Sequence, residues 1–475
     1  MVVNSINFLL FFIVVFIVYY FLLSGKAKFQ NTWLLLVSYF FYGFAEWKML
    51  PLLLISTFAF YIIGIAIGKY NKTDVKKASV LTIVGTLLGV GMLLYFKYLN
   101  FFIESFSSFF NAIGLHTNLT TFNILMPLGI SFFIFKLISY VIEVHRKHIE
   151  PCRDFVAFAT YIAFFPTILS GPIDRPKAFL AQLKTGRTFD YPLAVDGCRQ
   201  ILWGMFKKMV IADRLAELTV SIWDNIFLSS GLELLLAALL YSIQLYADFS
   251  GYSDMAIGVG KLLGIRVSIN FKYPFFTRNV AEYWQRWHIS LTSWLADYVF
   301  MPLNITFRNM GKWGICFAMI INLVLVGMWH GASWTYVLFG LYHGILLSVL
   351  ILSGVYFKKK KTQSTLFPSR LYLFDMSITF LLVSFGLILF RADSVQQAYL
   401  YFDKMFVLNA TFNVFSNFNM LIITVLVISF LAIEWYAYYK RVSIDRKQFV
   451  QRNIKTEFSK FEKYKDAIPH GGCVL

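Results

Sequence analysis

Two histidines stand where an imidazole could exchange a proton with a substrate. The stretch 283–303 has apolar residues at helical spacing and predicts one amphipathic helix with His288 on its apolar face. An imidazole that points into an apolar interior needs a hydrogen-bonding partner, because an unsatisfied buried polar group costs about 1–3 kcal/mol. His288 is therefore expected to have a structural or a chemical partner. Alternatively, His288 is a structural core histidine whose only function is to hold this helix in place.

The second candidate, His330, closes an apolar run that begins near Ile315. Taken from Ile315, that run is shorter than the roughly 17–25 residues that a membrane-spanning helix needs. Another apolar run covers 334–357, so a polar His-Gly-Ala-Ser step separates two membrane segments. Ionisable side chains at membrane depth are costly and usually mark a pathway or a reaction site. An interfacial turn beside the aromatic anchor Trp329 is the alternative.

The elements that must position these histidines are membrane helices. Hydrophobic residues make up 58% of the 475 residues and charged residues only 14%, whereas soluble domains carry about 25% charged residues. The net charge of +18 would suggest nucleic acid in a soluble protein. Here the excess lysine and arginine cluster in loops between apolar runs, which is typical of membrane topology. The composition therefore predicts an all-α integral membrane protein whose surroundings are lipid, with no nucleic-acid partner.

The basic loops predict the orientation of the chain, because loops rich in lysine and arginine stay in the cytoplasm. By this rule the N-terminus is outside and the C-terminus is cytoplasmic, which requires an odd number of crossings. Counting apolar runs gives about eleven spans. The loops assigned to the cytoplasm are 26–28, 69–77, 146–153, 358–370 and the tail 440–465.

The middle of the chain does not fit a simple count of spans. Residues 155–169 are too few to span and predict a re-entrant segment, while 198–210 mixes apolar and basic residues and predicts an interfacial helix. A span over 232–249 is expected to end at DFSGYSD, with a short Gly-rich piece over 252–263. Broken helices near membrane depth imply a protein-lined cavity, and Asp248, Ser250 and Asp254 would provide polar lining beside it.

We predict one membrane domain over 1–475, with N-terminal spans over about 1–150, a catalytic core over 151–357, and C-terminal spans with a cytoplasmic tail over 358–475. The four cysteines share no CxxC or CxxxC spacing, so neither a metal site nor a disulfide framework is expected. They are Cys152, Cys198, Cys316 and Cys473.

Several separated motifs together resemble the membrane-bound O-acyltransferase superfamily, most closely its bacterial branch of alginate O-acetylation and teichoic-acid D-alanylation proteins. The motifs occur in the family's order and cover most of the chain. The matching residues are Asn270 and Phe271, Arg286, Trp287, His288 and Asp297, Trp329, His330, Gly331, Ala332 and Trp334, His343 and Gly344, FFPTILSGPIDRP over 164–176, and LFRADS over 389–394.

The resemblance implies acyl transfer, with His330 as general base and His288 orienting the acyl group or stabilising the oxyanion. The side chains expected to bind substrate are Trp287, Trp329, Asn270, Ser333 and Trp334. His343 is interpreted as structural. A contact between Arg286 and Asp297 on one helix face is expected.

The resemblance also implies the partners. Acetyl-CoA in the cytoplasm would be the acyl donor substrate, with no bound cofactor. The acceptor would be a polysaccharide hydroxyl or a separate extracytoplasmic acetyltransferase of the SGNH/GDSL type, with the chain in the bacterial inner membrane. Two alternatives stay open at this stage: D-alanyl transfer from a carrier protein to a cell-wall polymer, and a transporter or flippase without chemistry.

Overall fold

A computed structural model describes residues 3–115, 119–357, 366–407, 411, 414–415 and 419–441. Within these ranges every regular element is a helix, and the predicted all-α fold is confirmed. Most of the basic segment 358–370, the tail beyond Arg441, and Cys473 lie outside the described residues.

The first third of the chain forms helices that are mostly linked by short turns, with a longer connection over 113–129. They are α1 Ile6–Ile17, α2 Ala27–Glu46, α3 Leu50–Thr73, α4 Val75–Leu93, α5 Leu99–Ala112 and α6 Ile130–His145. A π-helical turn, Leu94–Tyr98, joins α4 to α5 without a break.

Shorter helices follow, with one long exception. They are α7 Phe155–Ala163, α8 Pro176–Gln182, α9 Tyr191–Met205, α10 Asp213–Asp224, α11 Gly231–Leu262, α12 Val280–Trp284, α13 Ile289–Leu295 and α14 Met301–Thr306. Two further π-helical turns are Phe206–Ala212 and Ala296–Phe300.

The last third returns to long apolar helices, with the shorter α18 among them. They are α15 Lys312–His330, α16 Trp334–Leu352, α17 Arg370–Arg391, α18 Val395–Met405 and α19 Met420–Arg441.

Seven helical stretches of the described residues are long and apolar enough to cross a membrane. One of them, Ala27–Thr73, has 47 residues and divides at the turn Trp47–Met49 into α2 and α3, each long enough to span. The stretch Ile6–Leu22 is apolar but shorter. A multi-pass membrane protein is therefore supported, while the count of about eleven crossings stays a prediction.

The expected break at DFSGYSD is wrong, because α11 runs unbroken through it for 32 residues. The glycines of this region serve as contact points for α9. A Cβ on Gly251 would lie 2.8 Å from the carbonyl oxygen of Gly204, and one on Gly258 would lie 2.7 Å from that of Gly197. Small residues let helix backbones approach closely in membranes, so here glycine marks a seam between two helices.

The short length expected for the run before His330 is also wrong. Helix α15 begins at Lys312 and has 19 residues, which is enough to span. It packs against α16 through a second glycine seam, where a Cβ on Gly327 would overlap the carbonyl oxygen of Tyr336 and one on Gly340 would overlap that of Leu323.

The segment predicted to be re-entrant is buried in the protein. Helix α7 has only nine residues, and Phe164 and Phe165 after it have no exposed surface. This burial is what such a segment requires, and its re-entrant course stays a prediction.

The α15–α16 seam can be tested by adding one methyl group. Gly327→Ala forces the two backbones apart, and overpacking of this kind costs about 1–3 kcal/mol. We expect a lower unfolding temperature in detergent micelles. Gly91→Ala is the matched control, since a Cβ on this α4 glycine meets nothing within 4 Å. Equal unfolding temperatures for the two variants would contradict the seam.

Candidate active site

A cavity of about 630 Å³ opens at the end of α15. His330 lines it together with Trp287, Trp329, Phe390 and Lys97. Concave, mostly apolar cavities with a few convergent polar groups are the usual form of ligand sites. The cavity therefore brings the candidate base and both predicted tryptophans to one place.

His330 is the last residue of α15, and aromatic rings hold its imidazole in place. Its ring centroid lies 5.0 Å from that of Trp329 and 4.9 Å from that of Phe390. The following residue, Gly331, must be small because a Cβ there would overlap the ring of Tyr336. The polar step after His330 is therefore shaped by packing, and it leaves the imidazole on the cavity wall.

His288 does not lie inside one amphipathic helix, and that prediction is wrong. Helix α12 ends at Trp284, α13 begins at Ile289, and His288 between them adopts the left-handed conformation with φ of 44°. The physical reason is a pair of long-range hydrogen bonds. The amide of Ile289 donates to the carbonyl of Asn270 over 2.8 Å, and the amide of Lys272 donates to the carbonyl of Arg286 over 3.0 Å.

The imidazole of His288 is buried, with 1% of the residue exposed. Its ring centroid lies 4.7 Å from Phe249, 5.3 Å from Trp329 and 5.9 Å from His330. Neither ring nitrogen has a hydrogen-bond partner among the described residues, so the expected protein partner is not found there. Burial, with a smaller contribution from His330, lowers the pKa of His288 well below its ordinary value. The ring is therefore neutral at pH 7.

Asn270 holds the His288 segment in place and does not line the cavity. Its amide nitrogen donates to the hydroxyl of Ser253 over 3.1 Å, and its amide oxygen accepts from Ser290 over 2.6 Å. Ser290 in turn accepts from the amide of Ile173 over 2.9 Å. Asn270 faces a second cavity of about 220 Å³, so the structure gives it an anchoring position.

The other residues expected to bind substrate divide into two groups. Trp287 and Trp329 line the cavity. Ser333 begins α16 by accepting a hydrogen bond from the amide of Thr335, and Trp334 is 54% exposed. Neither of these two lines the cavity, and a substrate contact for any of the four stays a prediction.

His343 lies on α16 and does not line the cavity. Its ring packs between Trp284, at 5.2 Å, and Phe339, at 4.8 Å. A Cβ on Gly386 would lie 2.6 Å from the His343 Nε2 atom. These contacts are consistent with a structural role.

The expected contact between Arg286 and Asp297 is wrong. Arg286 donates to the carbonyl of Phe276, and Asp297 pairs with Arg175 over 2.6 Å. The pairing differs because the chain turns at His288, so the two residues no longer share a helix face. The SGPIDRP motif is thus tied to the histidine region through Arg175.

Two polar side chains that contact the end of α15 were not predicted from the sequence. Lys97 donates to the carbonyl of Trp329, and the Tyr98 hydroxyl donates to the carbonyl of Met328 over 2.7 Å. Helix ends leave carbonyl groups unpaired, and donors at that end satisfy them. The only sequence signal was one lysine within a long apolar run, a placement that is costly and usually functional.

Two neighbouring lysines lie on the π-helical turn after α9, within the stretch 198–210 that the sequence predicts to be an interfacial helix. Lys208 lines the larger cavity and pairs with Asp248 over 2.6 Å. Lys207 lines the smaller cavity and pairs with Asp254. The expected polar lining by Asp248 is consistent with this arrangement.

Among the described residues, no group of three His, Cys, Asp or Glu side chains clusters closely enough to hold a metal ion. The groups that line the larger cavity include imidazole, ammonium, carboxylate and indole side chains.

Comparison with known proteins identifies relatives along most of the chain. The family model described as MBOAT, membrane-bound O-acyltransferase family, matches residues 21–369. A probable alginate O-acetylase of Pseudomonas putida is 36% identical over 410 residues, covering 86% of this chain and 80% of that protein. A peptidoglycan O-acetyltransferase of Helicobacter pylori is 31% identical over 415 residues, covering 80% and 75%. A teichoic acid D-alanyltransferase of Streptococcus thermophilus is 34% identical over 254 residues, covering 51% and 60%.

The anchoring position of Asn270 predicts a loss of stability on truncation. Asn270→Ala leaves buried hydroxyls of Ser253 and Ser290 without this partner, and an unsatisfied buried group costs about 1–3 kcal/mol. We expect a lower unfolding temperature in detergent. Asn304→Ala makes the same chemical change on a half-buried surface of α14 and serves as the control. A variant Asn270→Ala that unfolds like wild type would contradict the anchoring position.

Proposed function

The chain belongs to the membrane-bound O-acyltransferase family, in its alginate O-acetyltransferase-like branch, and we propose that it passes acetyl from acetyl-CoA in the cytoplasm to an acceptor across the membrane. Its relatives include alginate and peptidoglycan O-acetyltransferases, so it is an O-acyltransferase and a multi-pass bacterial membrane protein. Membership of an enzyme family removes the support for a transporter without chemistry.

The observation that carries the proposal is the position of His330 on a cavity wall beside a second, buried histidine. A general base must lie within reach of the proton that it takes, and the cavity gives a hydroxyl access to His330. The acceptor oxygen attacks the thioester carbonyl carbon while His330 takes the hydroxyl proton. The tetrahedral intermediate then expels the thiolate, and His330 returns the proton to the sulfur. The bonds and the proton balance over the two steps.

His288 suits a supporting position in this scheme. It is neutral at pH 7, so one ring nitrogen carries a hydrogen and the other can accept. His288 lines neither cavity, but its ring packs on Phe249 and Trp329, which line the larger one, and neither of its nitrogens has a hydrogen-bond partner among the described residues. We propose that His288 orients the acyl group or stabilises the oxyanion.

A thin aromatic wall between the two cavities supports transfer across the membrane. Phe249 and Trp287 line the larger cavity, and Phe271 lines the smaller one. The ring centroid of Phe271 lies 5.1 Å from Phe249 and 5.0 Å from Trp287. The rings that line one cavity thus touch the ring that lines the other, and an acetyl group has to pass this wall of two rings.

The distribution of basic loops predicts on which side of the membrane each cavity lies. The larger cavity contains Asn4, Pro127 and Phe390, which lie at helix ends that this distribution puts outside. The smaller cavity contains Arg441, at the end of the last helix, which this distribution puts inside. We therefore propose an inner-membrane location with the N-terminus outside, the C-terminus cytoplasmic, and the acceptor arriving through the larger cavity.

The donor and the acceptor are proposed from the relatives. The acetylating relatives cover 80–86% of this chain, whereas the D-alanylating relative from S. thermophilus covers 51%, and this difference favours acetyl. The acceptor is a polysaccharide hydroxyl, reached directly or through a separate extracytoplasmic acetyltransferase of the SGNH/GDSL type. D-alanyl transfer from a carrier protein remains the alternative.

Removal of the base is expected to stop transfer. Inside-out vesicles from the native bacterium, with its own copy deleted and replaced by His330→Ala, are given radiolabelled acetyl-CoA. Label in polymer inside the vesicles should fall about 10²–10⁴-fold, as loss of a general base predicts. His148→Ala is the matched control, because this exposed histidine pairs with Glu143 away from the cavity.

Near-normal labelling by His330→Ala at equal protein level would show that His330 is not the general base. Labelling of wild type by a D-alanylated carrier protein, with none from acetyl-CoA, would replace the donor proposal with D-alanyl transfer.

The orientation of the chain has its own test. Single cysteines placed at exposed Lys76 or at Trp47 are challenged with a membrane-impermeant thiol reagent in intact cells. We expect labelling at position 47 and none at position 76 until the cells are opened, since the loop 69–77 is basic. Labelling of position 76 in intact cells would overturn the orientation.

A further inference from the structure

Lys97 is a positive charge in an apolar helical stretch, Val75–Ala112, that is long enough to span a membrane. It lies on the π-helical turn Leu94–Tyr98. No carboxylate of the described residues forms an ion pair with it. Such a charge is expensive, and a chain that keeps it without a counter-ion usually does so for function.

The protein uses only part of the hydrogen-bonding capacity of Lys97. An ammonium group has three donors. One is directed to the carbonyl of Trp329 and one to the hydroxyl of Ser131 over 3.3 Å. Because Lys97 also lines the larger cavity, one donor and the charge remain available to what enters there.

The ammonium is close to the proposed base. Its bond to the carbonyl of Trp329 places it one residue from His330 along the chain, and its nitrogen lies 5.7 Å from the centroid of the Trp329 ring. A group in the cavity that contacts His330 is therefore within the field of this charge.

Capping the end of α15 does not by itself require a charge. Tyr98 satisfies the preceding carbonyl, that of Met328, with a neutral hydroxyl. A neutral donor at position 97 would serve the carbonyl of Trp329 equally well, without the cost of placing an ammonium among apolar residues. The charge itself is what the capping function leaves unexplained.

We propose that Lys97 is a catalytic residue that stabilises the negative charge on the acyl carbonyl oxygen during transfer. This inference rests on the proposed acyl transfer at His330. When the acceptor oxygen bonds to the carbonyl carbon, the carbonyl π pair moves to its oxygen, and the free donor of Lys97 binds that oxyanion. The pair returns as the carbon–sulfur bond breaks, and Lys97 keeps all of its protons throughout.

The test separates charge from hydrogen bonding. Lys97→Gln keeps a neutral donor for the Trp329 carbonyl, while Lys97→Arg keeps the charge. In inside-out vesicles with acetyl-CoA varied, Lys97→Gln should lower kcat about 10²–10³-fold, the usual effect of losing one oxyanion donor, with KM unchanged. Lys97→Arg should recover much of this loss. Tyr98→Phe, which removes the neighbouring neutral cap, is the matched control, and its smaller loss of kcat measures what capping alone contributes.

Two outcomes would overturn the inference while wild type still transfers acetyl. Lys97→Gln and Tyr98→Phe with equal kcat would reduce Lys97 to a cap, and a raised KM with unchanged kcat would make it a binding group for the ground state. Failure of wild type itself to transfer acetyl would instead count against the proposed function.

A chemical rescue covers the case in which Lys97→Gln does not accumulate in the membrane. Lys97→Cys is treated with 2-bromoethylamine, which restores an ammonium, or with iodoacetamide, which adds a neutral amide, and treated wild type controls for the native cysteines. Recovery of activity by the amine alone is expected, and equal recovery by both reagents would contradict the proposal.

Discussion

Helix α15 ends inside the protein, and the carbonyl groups of its last turn need donors there. A membrane interior offers almost no water to bind such groups, so the chain itself must supply the partners. Lys97 and Tyr98 do so from the π-helical turn between α4 and α5, where two adjacent residues bind two adjacent carbonyls. Such turns are rare in helices and occur often at functional sites. The position of His330 follows from this anchoring of the helix end.

Close packing between helices uses glycine in two places with the same geometry. In both seams, between α9 and α11 and between α15 and α16, a backbone oxygen of one helix occupies the space of a missing side chain on the other. From the sequence alone, repeated glycine predicts a break in a helix, as it does in soluble proteins. In apolar surroundings the backbone hydrogen bonds within the helix persist, and glycine instead brings two helices together.

Features that depend on a short stretch of sequence could be predicted, whereas features that depend on contacts between distant residues could not. His330, Trp287 and Trp329 were located because their motifs are short and their apolar surroundings are visible in the chain. The amphipathic pattern around His288 correctly indicated burial but not the break, because the bonds that cause it come from Asn270 and Lys272. Lys97 escaped notice since its partner Trp329 is 232 positions away.

The glycine seam between α15 and α16 also governs how the site can move. Helices α15 and α16 are in direct backbone contact, with no layer of side chains between them that could slide. We therefore expect them to move together as one rigid unit, with His330 at its end. Packed interfaces of this kind change position as units and do not deform gradually. We therefore expect any change in the shape of the cavity to come from its other walls, such as the loop at Pro127. His330 is thus expected to keep its position while the other walls of the cavity move.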